Sequence, residues 1–342
     1  MKKTILRGIT VCMVIGMALS LFLVGCEPAA GPEEEIEYKL AAIFPGSIQD
    51  ADYNTLGYVA TEAAGEENDI EIAYSEQVAV PDVERVMREY IDGGFNIIWV
   101  HGNQFNSAAF DIGEEFPEVT FIIEVDAPVE DQKPNFWYMD RNYHTGMYIL
   151  GVLATKVTET GNIGYIGGLE LPFTRAELNA LQQALDDQES TAKLHYLYVG
   201  DLNDPVKART TTESLIGAGC DVLISSLNLG NYGVFTAVEK AEHKVLLTTK
   251  YTDKHEHAPD HYLTTDLFDY NPPMIEIVKR VKEGEKGGFM LLEYGSEGKP
   301  RSTQFPITHV SEEINQEIME LAEKVESGEV TIIHNYDTIE VK

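Results

Sequence analysis

The sequence predicts an α/β protein of two Rossmann-like lobes joined by a hinge. From residue 38 onward, short apolar segments alternate with amphipathic helical segments, as in parallel sheets that helices cover on both faces. One strand–loop–helix–Gly–strand unit begins near Pro81 and recurs from Pro205, which indicates two similar lobes rather than a short-period repeat. The length of 342 residues is sufficient for two domains of ordinary size.

The elements of the first lobe follow one another from residue 38. An apolar segment ends at Pro45-Gly46, which predicts a strand and then a loop. Apolar residues recur at helical spacing after Asp52 and again over 83–91, and Gly93-Gly94 ends the second of these helices. Further strands of this lobe are predicted at 70–74, 95–100, 119–125 and 135–139.

The alternation then begins again and continues into the C-terminal part of the chain. Strands are predicted at 163–166, 194–199, 222–225, 244–249, 261–265 and 288–294, and helices near 178–185, 205–216, 234–241, 273–282 and 313–325. We expect lobe one to comprise 38–142 plus about 262–295, and lobe two 143–261 plus about 296–342. Such a pair of lobes suits a hinged binding protein whose ligand lies at the carboxyl ends of the strands.

The N-terminus has the features of an export signal. A basic start is followed by an uncharged, apolar stretch over 8–25. A transmembrane anchor is the alternative interpretation, but the stretch ends in Leu23-Val24-Gly25-Cys26, which resembles the bacterial lipoprotein signal. The sequence therefore predicts a signal peptide over 1–25, lipidation of Cys26 and a flexible tether over 26–37. The mature protein would be extracytoplasmic and lipid-anchored to the cell membrane.

The charge of the chain excludes one class of function. Its formal net charge is -32, and an anionic surface of this size repels nucleic acid and anionic lipid headgroups. We therefore expect no nucleic-acid partner.

No motif predicts catalysis, a cofactor or a metal. The glycines of 161–168 lack the spacing of a dinucleotide-binding loop and the ending of a phosphate loop. His255, His257 and His261 crowd one segment, which we interpret as a solvated loop rather than a zinc site. Since no nucleophile motif is present either, the sequence predicts a protein that is not an enzyme.

Loops that follow the predicted strands contain the candidate ligand-binding residues. Aromatic rings and amides recur in these loops, and such groups respectively stack on planar rings and hydrogen-bond to ring edges. Helix capping by Asn54 and ordinary packing of Phe173 are the structural alternatives. The candidates are Tyr53, Asp50, Asn54, Asn103, Phe173, Asn228 and Asp266.

Several segments resemble the basic membrane protein family, the purine nucleoside or nucleobase receptor lipoproteins of ABC importers. The likeness extends from Tyr38 to about Val325. The matching segments are Asp50-Ala51-Asp52-Tyr53-Asn54, Gly102-Asn103-Gln104-Phe105, Glu115-Phe116-Pro117-Glu118-Val119-Thr120-Phe121, Tyr143-x-x-Gly146-x-Tyr148-x-x-Gly151-Val152-Leu153-Ala154, and Gly161-x-x-Gly164-Tyr165-Ile166-Gly167-Gly168. Lys250-Tyr251-Thr252-Asp253 and Leu263-Thr264-Thr265-Asp266 depart from the family pattern.

This resemblance implies a periplasmic-binding-protein-like fold of type I and a defined function. The protein would bind a purine base or nucleoside between its lobes and deliver it to an ABC permease. Tyr53 would stack on the base, with Phe173 as candidate for its opposite face, and the other candidates would make polar contacts. The alternatives are a sensor module for a membrane signalling protein, a nucleoside-salvage enzyme, and binding of another small molecule such as a sugar.

Overall fold

The computed structural model describes residues 36–127, 129–295 and 298–339, and the chain from Tyr38 onward forms one unit with two six-stranded sheets. The signal peptide, Cys26 and nearly all of the predicted tether lie outside the described residues. The described body confirms the predicted fold class, because each sheet is mostly parallel and has helices on both faces.

The first sheet carries the order β11-β5-β4-β3-β1-β2, and all of its pairings are parallel. Its strands are β1 (Lys39–Ile43), β2 (Glu71–Ser75), β3 (Ile97–Val100), β4 (Thr120–Val125), β5 (Phe136–Asp140) and β11 (Gly288–Leu291). The helices of this lobe are α1 (Tyr53–Asn68), α2 (Val83–Asp92), α3 (Asn106–Glu115) and α8 (Asn271–Lys282).

The second sheet carries the order β12-β10-β9-β8-β6-β7, and only the pairing of β10 with β12 is antiparallel among its described strands. Its strands are β6 (Asn162–Gly167), β7 (Lys193–Tyr198), β8 (Val222–Ser226), β9 (Leu246–Tyr251), β10 (Tyr262–Phe268) and β12 (Arg301–Thr303). The helices of this lobe are α4 (Tyr143–Val157), α5 (Pro172–Asp187), α6 (Pro205–Gly217), α7 (Asn231–Val238) and α9 (Glu312–Glu326).

The central strands of each sheet are buried along their length, and most of their residues are apolar. In β1, Leu40 and Ala42 face a core shared with α1 and α8, while Ala41 and Ile43 face α2 and α3. The second sheet is covered in the same way by α4, α5 and α9 on one face and by α6 and α7 on the other. The strands therefore form two rigid platforms whose carboxyl ends carry the loops of interest.

One strand differs from the predicted division into lobes. The sequence predicted that the chain from about residue 262 belongs to lobe one. In the structure, β10 (Tyr262–Phe268) instead pairs with β9 in the second sheet. The chain thus returns to the first lobe only after Phe268, where α8 packs on α1. The apolar pattern of 261–265 fits either sheet, because periodicity specifies a strand but not its neighbours.

A buried arginine fastens the first crossing between the lobes. Arg301 lies in β12, has no exposed surface and donates from Nη1 to the main-chain oxygens of Arg141 and Asn142. Its Nη2 pairs with the Asp266 carboxylate in β10. Asn142 has a positive φ of 53°, which lets the chain turn from β5 into α4. Arg301 therefore joins the second sheet to the segment on which a hinge would turn.

We predict that Gly146→Ala destabilises the protein through this ion pair. A Cβ at Gly146 would overlap the Asp266 carboxylate, so the carboxylate must move away from Arg301. Overpacking of this kind costs about 1–3 kcal/mol, which urea unfolding would measure as a lower midpoint. Gly217→Ala is the control, because a Cβ at this helical position meets nothing within 4 Å. Equal midpoints for the two variants would contradict the prediction.

Candidate functional site

A cavity of about 660 Å³ lies between the carboxyl ends of the two sheets. Among the described residues that line it, Arg141 is the only one with a formal charge. The lining is otherwise apolar, aromatic or amide in character. Its aromatic members are Tyr53, Tyr143, Phe173 and Tyr251, and its amides are Asn54, Asn103, Gln104, Asn106, Asn203 and Asn228.

Five of the seven predicted ligand-binding residues line this cavity. They come from both lobes and are Tyr53, Asn54, Asn103, Phe173 and Asn228. The structure thus brings together loops that are far apart in sequence, as parallel strands with a common carboxyl edge require.

Asp50 and Asp266 are not in the lining, because each carboxylate has protein partners. Asp50 accepts hydrogen bonds from the main-chain N–H groups of Asp52 (2.9 Å), Asn54 (3.1 Å) and Thr55 (3.0 Å), so it fixes the start of α1. Asp266 is fully buried in its ion pair with Arg301. Neither residue lines the cavity, although polar contacts with the ligand were predicted for both.

Tyr53 is held on one side by the protein. Its ring stacks on His101, with ring centroids 3.8 Å apart and an angle of 20° between the planes. Its hydroxyl donates to Glu124, and only 6% of the residue is exposed. One face of the ring is therefore occupied by His101, and ligand stacking would have to use the other.

Phe173 belongs to a second group of rings on the lobe-two side. The ring centroids of Phe173 and Tyr143 are 4.9 Å apart. The Lys250 ammonium lies 4.3 Å from the Tyr143 centroid and 4.8 Å from the Phe173 centroid. Lys250 is buried and pairs with Glu177 at 2.9 Å. Cation–π contacts of a desolvated ammonium orient the rings around it, so this ion pair positions the aromatic lining.

Arg141 connects the cavity to a buried charge network. Its guanidinium pairs with Asp126 at 2.6 Å and with Glu124 at 3.0 Å. His101 Nδ1 lies 2.7 Å from the other oxygen of Glu124. Burial alone would raise the pKa of Glu124, but His101 and Arg141 hold it below its usual value. The carboxylate is therefore stabilised in its ionised form and accepts a hydrogen bond from the Tyr53 hydroxyl.

Sequence reasoning missed several residues of this site. Arg141, Tyr143 and Tyr251 line the cavity, and Glu124 and Asp126 support them. A signal was present in two places: Glu124 is a lone charge within an apolar strand, and Arg141 follows another strand directly. Buried charges need partners, so these positions indicated a network, although not its geometry.

The histidine segment serves other contacts. His257 stacks on Phe235 with ring centroids 5.3 Å apart, and His261 Nδ1 lies 2.7 Å from the main-chain oxygen of Val245. Within the described ranges, no three His, Cys, Asp or Glu side chains form a group that could hold a metal ion. Across the same ranges, no helix is both long and apolar enough to cross a membrane.

A buried ion pair joins the two lobes beside the cavity. Lys254, which follows β9, donates from Nζ to Asp52 Oδ1 at 2.8 Å, and Thr252 donates to the main-chain oxygen of Ala51 at 2.8 Å. Burial raises the pKa of Asp52 to about 7, and Lys254 only partly opposes this shift. Opening of the lobes would have to hydrate these groups or move them together.

We predict that Asp52 makes unfolding pH-dependent between about pH 4 and pH 7. In this range the folded protein holds a proton on Asp52 that the unfolded chain has lost, because the pKa is about 7 against an ordinary 3.8. The contribution of Asp52 to the free energy of unfolding is therefore largest at low pH and is lost as pH rises to 7. Urea unfolding should show that Asp52→Asn loses more stability at pH 5 than at pH 8.

His144 provides a control of opposite sign. Burial, followed by His334 and Arg301, lowers its pKa to about 3 from an ordinary 6.5. The unfolded chain then binds the extra proton, so the contribution of His144 is lost as pH falls through this range. Relative to wild type, His144→Gln should therefore have a higher free energy of unfolding at pH 5 than at pH 8. An equal effect of Asp52→Asn at both pH values would refute the assignment of Asp52.

Two lobes, a cavity between their strand ends and a fastened crossing segment define a substrate-binding protein. Residues 38–295 match the family described as ABC transporter substrate-binding protein PnrA-like, and the chain belongs to this family. Members bind a small molecule outside the cytoplasm and present it to the permease of an ABC importer. The predicted family resemblance is thereby confirmed.

Relatives and solved structures agree with this assignment. An ABC transporter nucleoside-binding protein of Lactococcus lactis is 22% identical over 362 residues, covering 97% of this chain and 99% of that protein. A putative ABC transporter glucose-binding protein of Haloferax volcanii is 24% identical over 315 residues, covering 88% and 75%. The crystal structure of a solute-binding protein of an ABC transporter system from Aeropyrum pernix K1 has a TM-score of 0.73 at 17% identity, covering 88% of this chain and 94% of that one. This last similarity confirms the periplasmic-binding-protein-like fold.

Proposed function

We propose that this protein binds a purine base or nucleoside in the cavity between its lobes and delivers it to an ABC permease. The observation that carries the proposal is the lining: aromatic rings and side-chain amides from both lobes surround one cavity of about 660 Å³. Rings stack on the faces of a flat heterocycle, and amides hydrogen-bond to its edges. The nucleoside-binding relative supports the same ligand class.

Lobe closure would couple ligand binding to delivery. A ligand in contact with Tyr53 on lobe one and Phe173 on lobe two stabilises the closed arrangement relative to the open one. Closure also excludes water, which strengthens each polar contact with the amides. A permease that recognises the closed arrangement would thus distinguish loaded from empty protein.

A sugar is the second candidate ligand. The Haloferax volcanii relative, named as a putative glucose-binding protein, favours it. The amides of the lining could hydrogen-bond to hydroxyls, and a ring such as Phe173 could cover an apolar sugar face. The two ligand classes differ in how strongly they use the rings, since only a heterocycle has a π system to stack.

We predict that Phe173→Ala weakens purine binding by at least tenfold. Base–aromatic stacking is worth roughly 1–3 kcal/mol, or about one to two decades of affinity. Calorimetric titration of ligand-stripped protein with adenine, guanine, adenosine, guanosine and glucose would measure the loss. Tyr232→Ala is the matched control, because this lobe-two ring is 42% exposed and does not line the cavity.

Two results would contradict the assignment. Unchanged purine affinity in folded Phe173→Ala protein would remove this ring from the site. Heat from glucose but from none of the four purines would replace the purine proposal by the sugar one. Mass spectrometry of ligand released from freshly purified, denatured protein would identify the natural occupant directly.

We also propose that lipid on Cys26 holds the protein at the membrane. The thiol ends the Leu23-Val24-Gly25-Cys26 signal and would carry the lipid after cleavage. Cys26→Ala should therefore abolish labelling by a radioactive fatty acid and leave the precursor unprocessed on a denaturing gel. Cys220→Ala is the control, because this buried thiol lies in the folded body. A labelled, processed Cys26→Ala protein would show that the lipid is attached elsewhere.

A further inference from the structure

Two amides on the lobe-one wall of the cavity have their nitrogen atoms engaged within the protein. Asn103 Nδ2 donates to the Asp126 carboxylate at 2.6 Å, and Asn106 Nδ2 donates to the main-chain oxygen of Glu124 at 2.8 Å. Both partners accept hydrogen bonds and cannot donate them. Turning either amide around would place two acceptors against each other, so these hydrogen-bond partners determine the orientation of both amides.

The oxygens of these amides are left without partners. Asn106 Oδ1 is buried and has no hydrogen-bond partner among the described residues. Asn103 is half-buried in the cavity wall, and no described residue donates to its Oδ1. Asn103 Oδ1 is the acceptor of the two that a donor on a ligand in the cavity could use.

Three further residues of this wall also direct donors at the protein. The Tyr53 hydroxyl donates to Glu124, and Asn54 Nδ2 donates to Asp50 at 2.6 Å. Arg141 directs Nε and Nη2 at Asp126, at 2.9 and 2.6 Å. The wall formed by Tyr53, Asn54, Asn103, Asn106 and Arg141 therefore directs donors at the protein, while the oxygens of Asn103 and Asn106 receive no donor from the described residues.

We propose that this acceptor wall selects purines that present an amino group to it over their oxo counterparts. The inference deepens the proposed function and rests on it. An amino group can donate to Asn103 Oδ1, whereas an oxo group at the same place sets two acceptors against each other. A mismatch that leaves polar groups unpaired reduces affinity by roughly tenfold or more.

Asp126 is the positioning residue for this selection. Its carboxylate is held by three guanidinium hydrogen bonds from Arg141, which fix its place beside Asn103. In Asp126→Asn the new amide can either donate or accept, so Asn103 becomes free to turn its nitrogen toward the ligand. The ratio of affinities for amino and oxo ligands should then fall, whatever happens to the affinities themselves.

The test compares purines in which an oxo group replaces an amino group and an adjacent ring nitrogen gains an N–H. Calorimetric titration of wild-type protein with adenine and hypoxanthine, and with 2,6-diaminopurine and xanthine, should give at least tenfold tighter binding of the amino member of one pair or both. Asn103→Leu and Asp126→Asn should bring that ratio toward one. Asn162→Leu, at a position outside the cavity lining, should leave the ratio unchanged. Thermal unfolding would check that each variant is folded.

The outcomes separate the two proposals. Oxo purines that bind wild type as tightly as amino purines would overturn the acceptor wall while leaving purine binding intact. A ratio unchanged in folded Asn103→Leu protein would overturn it too, because some other group would then make the selection. If no purine binds wild type, the proposed function fails and this inference fails with it.

Discussion

A guanidinium buried beside a binding cavity must have its charge matched, and the cavity of this protein is organised around that requirement. Arg141 is 3% exposed and forms ion pairs with Glu124 and Asp126. Both acidic residues lie at the carboxyl end of the adjacent strand β4. Removing one partner of a buried pair would leave an uncompensated charge. The partners are therefore constrained, and through them so are Tyr53, which donates to Glu124, and Asn103, which donates to Asp126.

The same constraint recurs elsewhere in the molecule. Arg301 pairs with Asp266 and fastens the crossing between the lobes. Lys250 pairs with Glu177 and lies over the rings of the lobe-two wall. Each buried cation thus joins elements that belong to different parts of the chain. Loss of either partner would leave an uncompensated buried charge, so each pair constrains the elements that it joins.

The sequence was sufficient for the fold class because the central strands are largely apolar and several helices are amphipathic. It was insufficient where an element had no such pattern: the helix Asn106–Glu115 and the short strand Arg301–Thr303 were not predicted. At the site, the strand-end loops contain Tyr53 and Asn103, which were predicted to bind ligand and which line the cavity. The partners of Asp266 could not be predicted, because an ion pair between residues 35 positions apart leaves no local pattern.

Tyr53 shows how burial changes the meaning of a sequence prediction. A pocket ring at a strand end is expected to be half solvated without ligand, so its removal should cost affinity but little stability. In the structure the ring stacks on His101 and its hydroxyl is bonded to Glu124, which makes it part of the lobe-one core. Truncation of Tyr53 would therefore combine a packing loss with any ligand loss. Phe173 also packs closely, but its hydrocarbon ring has no hydrogen bond to lose, so it tests stacking more directly.

The described acidic residues of this chain lie outside the lining of its cavity. The formal net charge is -32, yet no carboxylate belongs to the described cavity lining. Asp126 and Asp266, which lie close to the site, are paired with Arg141 and Arg301. Under the proposed function, rings and amide oxygens would make the ligand contacts, and such short-range contacts depend less on ionic strength than exposed charges do. An acidic surface can then serve solubility without setting the charge of the ligand that the cavity accepts.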